Sequence, residues 1–316
     1  MDQSVVSSLF KIYLRRSDLR ESSIEIKSRA VRWFVELIGD MDVKGIRYSH
    51  AEDYKSWLAK GRSKSSANSY LRNLKPFFSW MFRSGYITEN PFTSIKLYVV
   101  GESKKAVFEA DEIERILKVA DLRWQVIVLL GLCSMRRGEI LNLCISDIDF
   151  EKNYILISPK KNTENTWSWE IKDHNQAYVG LPGKVADLII QLMAEMPAGQ
   201  PYVCLKPGYY ARLIELSRKG ELDYRKRLCP WGNFNRDFYS LLKRAKVSRK
   251  KFHALRATFA TDRYNAGYDI KKIQYLLRHS SIQTTVGYVV KGLDEQQLVA
   301  ESNGVFDHKY YASKVL

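Results

Sequence analysis

The spacing of the apolar residues most constrains how this chain can fold. Over most of the 316 residues, apolar side chains recur at intervals of three and four, which places them on one side of a helix. The alternation of β-branched and aromatic residues that is typical of strands is confined to three short segments, 154–158, 167–171 and 177–179. The pattern predicts a mainly helical α+β fold with one small antiparallel sheet of three strands.

Turn residues divide this helical pattern into two parts. Asn90-Pro91 ends the first part, and Gly101, Ser103 and two lysines break the periodicity after it. The length suits two domains of about 100–200 residues each. We therefore expect a helical domain over residues 1–92, a linker over 93–107 and a second domain over 108–316.

One helix of the first domain is expected to have a polar and an apolar side. Its apolar stripe consists of Leu71, Leu74, Phe77, Phe78, Met81 and Phe82. Pro76 should kink or interrupt this helix, because proline removes a backbone donor and clashes with the preceding turn. The polar side carries Asn68, Arg72 and Lys75, which, with the nearby Lys64, are candidate contacts to nucleic acid. The alternative for each is a solvated polar side chain.

Positive charge is in excess in both parts of the chain. The net charge is +16. Residues 1–107 carry 19 Lys and Arg against 11 Asp and Glu, and residues 108–316 carry 32 against 24, an excess of eight in each part. An excess spread over two domains suits a protein that grips duplex DNA from two sides.

Cysteine usage and hydropathy exclude several other classes of protein. The cysteines are well separated and form no CxxC pair, which argues against a zinc ribbon and a disulfide framework. The first residues lack the apolar core of a signal peptide, and no run of about 18 apolar residues occurs. We therefore expect a cytoplasmic, nucleoid-associated protein without membrane contact.

Residues 252–289 carry the side chains best suited to chemistry. They read FHALRATFATDRYNAGYDIKKIQYLLRHSSIQTTVGYV. His253 and Arg256 lie three apart on one side of a predicted helix, where they can hold one phosphate from two directions. His279 is expected at the end of the following helix, and Tyr288 comes nine residues later.

This segment resembles the C-terminal signature of the tyrosine recombinases, which is H-x-x-R, then L-x-H-S-S-I-x-T-T, then the tyrosine. The upstream segment GLCSMRRGEILNLCISDID is similar to the arginine box of the same family. It places Arg136 at the arginine of the box and Glu139 at its glutamate, with Arg137 as the adjacent alternative. The family commonly has glycine where this chain has Arg278. We expect the Arg278 side chain to point to solvent, the alternative being a further phosphate contact.

The family also has a lysine on a β-hairpin, and IKDHNQAYVGL resembles that element. The alignment places Lys172 at the lysine, but Ala177 and Gly180 replace the usual arginine and proline. Because of these departures, Lys160 and Lys161 at the end of the preceding strand stay open as alternatives.

The resemblance implies a site-specific recombinase or integrase that cleaves and rejoins DNA through a 3′-phosphotyrosine intermediate and a four-way junction. Tyr288 would be the nucleophile, and Arg136 and Arg256 would stabilise the attacked phosphate. Lys172 would be the general acid, His253 the base or proton relay, and His279 a donor to a non-bridging oxygen. Glu139 would orient Arg136. The reaction is expected to need no metal and no cofactor.

The resemblance also implies a helical, SAM-like core-binding domain followed by a mostly helical catalytic domain with a small antiparallel three-stranded sheet. The expected partners are a double-stranded recombination site and further copies of the chain, as a dimer on one site and a tetramer in synapsis. The tail segment LDEQQLVAE, residues 293–301, is expected to dock on a neighbouring subunit. The competing readings are a type IB topoisomerase-like enzyme and a catalytically silent DNA-binding regulator.

Overall fold

The computed structural model describes residues 5–17, 19, 21–101, 106–171, 176–224 and 226–289. The chain divides into two compact units, Met1–Ser103 and Lys104–Leu316. The described residues are mainly helical, with one antiparallel sheet of three strands. This confirms the predicted fold class.

The N-terminal unit is built from four helices among its described residues, α1 Val6–Arg16, α2 Glu21–Ile38, α3 Tyr48–Lys60 and α4 Lys64–Arg83. Its core is rich in aromatic rings that meet edge to face, for example Phe34 and Phe78 with ring centroids 5.3 Å apart. The Tyr54 hydroxyl, buried in this core, donates to the Ala30 carbonyl oxygen of α2 at 2.9 Å. Aromatic packing of this kind joins α2, α3 and α4 into one unit.

Helix α4 is not interrupted by Pro76, contrary to one of the two expected outcomes. It runs from Lys64 to Arg83 with Pro76 inside it. The residues of the predicted apolar stripe are buried except Phe82, which is 48% exposed. Burial of this stripe outweighs the backbone hydrogen bond that proline cannot make, which is a tertiary effect that local sequence does not reveal.

The C-terminal unit surrounds a buried helix. Its elements are α5 Ala110–Val119, α6 Leu122–Leu132, α7 Arg137–Leu141, β1 Ile148–Asp149, β2 Tyr154–Ile157, β3 Ala177–Gly180, α8 Gly183–Ala194, α9 Pro207–Arg218, α10 Phe234–Arg244, α11 Ala254–Asn265, α12 Ile270–Leu277 and α13 Ile282–Val289. Helix α6 packs against both α8 and α11. At Gly131 a Cβ atom would lie 2.7 Å from Cδ1 of Leu255, so only glycine permits this approach of α6 to α11.

The sheet differs from the prediction in one of its strands. Strand β2 pairs antiparallel with β1 and β3, and Ile155 faces Ile148 on one side and Val179 on the other. The segment 167–171 makes only an isolated bridge between Trp169 and Lys160. Trp167 instead stacks on Tyr202, with ring centroids 4.0 Å apart. Its apolar character therefore reflects packing in the core, and that part of the prediction was wrong.

None of the helices in the described ranges is long and apolar enough to span a bilayer.

Candidate active site

Helices α11, α12 and α13 bring together the C-terminal residues that the sequence singled out. His253 immediately precedes α11, Arg256 lies in its first turn, and Tyr288 lies near the end of α13. The Asp269 side chain caps α12 by accepting from the backbone N–H of Lys271 at 2.8 Å. The three helices pack on a small apolar cluster of Ala257, Ala260, Ile273, Leu277, Tyr288 and Val289. This cluster fixes the ring of Tyr288 relative to α11.

Tyr288 is buried between two histidines. It is 4% exposed, and its hydroxyl is hydrogen-bonded to Nε2 of His253. The His279 ring stacks on the phenol ring, with centroids 5.3 Å apart and planes 24° apart. Burial raises the pKa of Tyr288 above its ordinary value, and the positive charges of Arg256 and Arg136 oppose that rise. The phenol therefore keeps its proton at neutral pH, and His253 is the base nearest to it.

Arg256 is a fully buried cation held by main-chain oxygens. It is 1% exposed, and it donates to the carbonyl oxygens of Ser134 and Leu277. Burial lowers its pKa to about 9, with further lowering from the nearby Arg278 and Arg136. Since these acceptors are neutral dipoles, the guanidinium is hydrogen-bonded without being neutralised.

His279 links Arg256 to helix α13. Nη2 of Arg256 lies 3.3 Å from Nε2 of His279, and Nδ1 of His279 lies 3.0 Å from Oγ1 of Thr285. A guanidinium can only donate, so Nε2 accepts and Nδ1 carries the proton in this arrangement. The buried Thr285 hydroxyl can donate or accept, so it supports either tautomer of the ring. Thr285 is the second threonine of the T-T motif, and this motif is the sequence signal that could have identified it as a partner of His279.

Arg136 and Glu139 form a compact turn at the start of α7. The Arg136 backbone N–H donates to Oε2 of Glu139 at 2.8 Å, and its Nη1 donates to Oε1 at 2.9 Å. Nη2 of Arg136 donates to the Arg278 carbonyl oxygen at 2.9 Å. Arg137 points elsewhere, donating to Oδ1 of Asn235 at 3.2 Å and lying over the Trp231 ring. Of the two adjacent arginines, Arg136 is the one whose charge acts on Arg256 and Tyr288.

Arg278 does not point to solvent as expected. Its side chain is 13% exposed, and Nη2 donates to Oε2 of Glu139 at 2.7 Å and to the Ser134 carbonyl oxygen at 3.0 Å. The expectation was wrong because the residue adopts a left-handed conformation, with φ of 53°, at the end of α12. The role of Ser134 could not be predicted from the sequence for a different reason. Ser134 contributes its backbone carbonyl oxygen, and every residue type carries such an oxygen.

A surface cavity gives access to this cluster. Its lining includes Arg136, Glu139, Arg278 and His279 on one side and Ala177 and Tyr178 of β3 on another. Arg136 and Arg278 thus line the same cavity as residues of β3. Strand β3 lies at the C-terminal end of the segment IKDHNQAYVGL, which resembles the lysine element of the family. Lys172 itself lies outside the described residues, as does the tail segment 293–301.

The two alternative lysines are found in different surroundings. Nζ of Lys160 lies 2.5 Å from Oδ1 of Asp147 and donates to Oγ of Ser158 at 3.0 Å. Both partners of this ion pair have side chains less than 10% exposed. Lys161 is exposed. The buried pair gives Lys160 a structural role in holding the end of β2, which weakens it as a proton donor to substrate.

The candidate DNA contacts of α4 separate into two groups. Lys64 and Arg72 are exposed, as a phosphate contact requires. Asn68 is 2% exposed, and its side-chain amide exchanges two hydrogen bonds with the backbone of Tyr98, at 2.9 and 2.8 Å. Nζ of Lys75 donates to the Ile95 carbonyl oxygen at 2.6 Å, and burial lowers its pKa. Asn68 and Lys75 thus have partners within the unit, which suits a DNA contact less well than the exposure of Lys64 and Arg72 does.

Comparison with known proteins gives a family match over most of the C-terminal unit. The family model described as "Phage integrase family" matches residues 106–292. A tyrosine recombinase XerC-like protein of Caldanaerobacter subterraneus subsp. tengcongensis is 26% identical over 264 residues, 77% of this chain and 66% of that protein. A tyrosine recombinase XerC of Anoxybacillus flavithermus is 25% identical over 294 residues, 89% of this chain and 91% of that protein.

Solved structures with the same fold include two integrases bound to DNA. The Tn1549 transposon integrase in complex with a circular intermediate DNA superposes with a TM-score of 0.71 at 20% identity, covering 96% of this chain and 99% of that one. A lambda integrase tetramer bound to a Holliday junction gives a TM-score of 0.69 at 16% identity, covering 93% and 80%. At these identities the likeness concerns the fold.

Proposed function

The chain belongs to the phage integrase family of site-specific tyrosine recombinases, and we propose that Tyr288 is the nucleophile with which it cleaves DNA. The observation that carries this proposal is the contact of the Tyr288 hydroxyl with His253 beside two arginines and a second histidine. A buried phenol needs a base to become a nucleophile and cations to attract the phosphate that it attacks. The cluster contains both.

The first step is an in-line transesterification. The Tyr288 oxygen bonds to the scissile phosphorus while the bond from phosphorus to the 5′-oxygen breaks, which leaves a 3′-phosphotyrosine. The phenolic proton passes to Nε2 of His253, its hydrogen-bond partner in the structure. In the second step a 5′-hydroxyl of the partner strand attacks the phosphotyrosine, and the phenol takes its proton back. The energy of the phosphodiester is conserved in the covalent bond, so the exchange needs no nucleotide cofactor.

The cations stabilise charge that develops on the phosphate. Arg136 lines the cavity, and Arg256 of α11 contacts His279 of the same lining, so a phosphate bound there would be contacted by one arginine from each of two elements. Both arginines are anchored before substrate arrives, which removes the cost of ordering them during the reaction. Glu139 orients Arg136. Once the phosphate replaces Nε2 of His279 as the acceptor of Arg256, His279 can donate to a non-bridging oxygen in the tautomer that carries its proton on Nε2, with Thr285 donating to Nδ1.

Lys172 is the proposed general acid for the 5′-oxygen. Its assignment rests on the resemblance of IKDHNQAYVGL to the hairpin element of the family. Support comes from Lys160, whose ammonium is already paired with the buried carboxylate of Asp147. A lysine held in that way has neither the reach nor the free proton that the leaving group requires.

The proposed partner is a double-stranded recombination site, on which two copies assemble, with four copies in synapsis during integration or excision. Each copy carries one nucleophile of this kind, so exchange of both strands between two duplexes needs four of them. The exposed Lys64 and Arg72 of the N-terminal unit are the proposed phosphate contacts outside the catalytic unit. The proposed location is the cytoplasm, on the nucleoid.

A suicide duplex tests the nucleophile. Duplexes are selected from a random library by binding to the full chain and are then nicked near the cleavage position. The short fragment that leaves with the 5′-hydroxyl diffuses away, so the covalent adduct accumulates. We expect an adduct with wild type and with Tyr48→Phe, an exposed tyrosine of the N-terminal unit, and none with Tyr288→Phe. An adduct that survives in Tyr288→Phe contradicts the assignment. Relaxation of any supercoiled plasmid by single copies would instead indicate topoisomerase activity.

A further inference from the structure

Arg278 brings a third guanidinium to the cluster around Glu139. Oε2 of Glu139 accepts from the Arg278 side chain and from the Arg136 backbone, while Oε1 accepts from the Arg136 side chain. The Glu139 side chain is 3% exposed and that of Arg278 is 13% exposed, so water screens this ion pair weakly. One carboxylate is therefore shared between two arginines.

The sharing changes the charge available at the site. With Arg136, Arg256 and Arg278 charged and Glu139 ionised, the four side chains carry a net charge of +2; with an uncharged residue at 278 they would carry +1. The influence of Arg278 reaches beyond its direct contacts, since it is the larger of the two nearby cationic contributions that lower the pKa of Arg256. An anionic phosphate that binds between these groups would relieve that repulsion, and it would do so more strongly as further negative charge develops in the transition state.

The backbone of Arg278 contributes separately from its side chain. Its carbonyl oxygen accepts from Nη2 of Arg136 at 2.9 Å, and this contact depends on the left-handed conformation that ends α12. Glycine adopts such a conformation without strain, whereas a residue with a Cβ atom is strained in it. The chain thus holds a long, charged side chain in a conformation for which glycine is better suited.

We propose that Arg278 is a positioning residue of the DNA-cleavage site, which engages one oxygen of Glu139 so that this carboxylate offsets less of the Arg136 charge and keeps Arg136 oriented for the scissile phosphate. This inference rests on the proposed function, and it adds a residue that acts through Glu139. Arg278 contributes in two ways. Its side chain holds Glu139 and raises the positive potential of the cavity, and its carbonyl oxygen holds Arg136.

A series of substitutions at one position separates charge from structure. Arg278→Lys keeps the charge, and Arg278→Met keeps similar length without charge, while both keep a side chain with the same left-handed backbone. Arg212→Met, on the exposed face of α9, removes one positive charge from a position outside the cavity lining and serves as the matched control. Thermal unfolding of each full-length variant checks that it is folded.

Inorganic phosphate is the first probe, because its binding does not require that the chain be a recombinase. The affinity is measured from the shifts of arginine side-chain NMR signals at constant ionic strength. We expect wild type and Arg212→Met to bind alike, Arg278→Met to bind about 10-fold more weakly, and Arg278→Lys to recover most of the loss. Equal affinities of Arg278→Met and wild type, or no binding by wild type, overturn the inference.

The suicide duplex is the second probe, and it keeps the two proposals apart. We expect the single-turnover rate of adduct formation to fall about 10- to 100-fold in Arg278→Met and to be largely restored in Arg278→Lys. An adduct that forms at the wild-type rate in Arg278→Met overturns the inference while the proposed function stands. If wild type forms no adduct but phosphate binding still depends on charge at position 278, the proposed function fails and the charge-sharing at Glu139 stands. If Lys and Met behave alike, the role of the side chain is structural.

Discussion

Helices α4 and α11 each bury a polar side chain, and the two side chains are satisfied in different ways. Asn68 of α4 donates one hydrogen bond to the backbone of Tyr98 and accepts one from it, so that both the nitrogen and the oxygen of its amide have a partner within the N-terminal unit. Arg256 of α11 donates to the carbonyl oxygens of Ser134 and Leu277, yet nothing in those contacts cancels its charge. A buried neutral group that is fully paired indicates a structural role. A buried cation that is held without being neutralised indicates a site that awaits an anion.

Two of the three lysine candidates, Lys160 and Lys172, extend this comparison and give the largest expected effect. Lys160 resembles Asn68 in being paired, whereas Lys172 is the proposed proton donor. We expect Lys172→Met to slow cleavage by about 10²–10⁴-fold, as loss of a general acid does. A suicide duplex with sulfur in place of the bridging 5′-oxygen should restore the rate, because a thiolate leaves without a proton.

The matched control is Lys160→Met, which removes one partner of a buried ion pair. It should lower the midpoint of thermal unfolding and gain nothing from the sulfur substitution. If sulfur rescues Lys160→Met and leaves Lys172→Met slow, the assignment of the two lysines is reversed.

Removing the charge of Arg256 should affect chemistry more than stability. We expect Arg256→Met to reduce the single-turnover rate of adduct formation by about 10²–10³-fold, the usual result of losing one preorganised donor. Because burial and neighbouring arginines lower the pKa of Arg256, the folded protein disfavours its charged form, and losing that charge offsets part of the lost hydrogen bonding. A variant that cleaves normally, or that fails to fold, would indicate that Arg256 has a structural role like that of Asn68.

Replacing Asn68 should affect stability more than chemistry. Asn68→Ala leaves the backbone N–H and carbonyl oxygen of Tyr98 without their partner, and we expect a loss of about 1–3 kcal/mol in the free energy of unfolding. Thermal or urea unfolding of the full chain measures it. Activity at a temperature where the variant is folded should be unchanged. A loss of DNA affinity without a loss of stability would restore the DNA contact that the sequence suggested.

The smallest effect is expected on the exposed side of α4. Arg72→Ala should weaken DNA binding several-fold. It should also reduce the slope of the logarithm of the binding constant against the logarithm of salt concentration by about one. Titrations of a fluorescent duplex at several salt concentrations give both quantities. Lys64→Ala is the parallel variant at the start of the same helix. An unchanged salt dependence in both would show that this face of α4 is simply solvated.

The same contrast shows what sequence could predict. Short motifs with fixed spacing identified His253, Arg256, His279 and Tyr288, and the structure brings all four together, because each motif lies on or beside one of three helices that pack on each other. Periodicity alone placed Asn68 on a polar side of α4, but it could not show that the chain around Tyr98 returns to cover that position.

The remaining errors have related physical causes. Trp167 lies in an apolar segment that resembles a strand, yet it packs on Tyr202 across a distance of 35 residues in sequence. Arg278 turned inward because its backbone is left-handed, and no propensity of arginine foretells that conformation. Long-range coverage and unusual backbone angles are properties of the assembled fold.

The use of main-chain oxygens to hold the arginines has a consequence for how such a site can diverge. Ser134, Leu277 and Arg278 each offer a carbonyl oxygen to a guanidinium, and this role is indifferent to the side chain above it. Descendants of one ancestor can therefore replace Leu277 with other apolar residues, and Ser134 with residues that adopt its left-handed backbone, provided that the path of the backbone is kept. Comparisons that score residue identity would rank such positions as unimportant, although a proline or an insertion there would release the arginines. Libraries that vary backbone length between 133 and 135 should thus contain far fewer active members than libraries that vary the residue type at position 134.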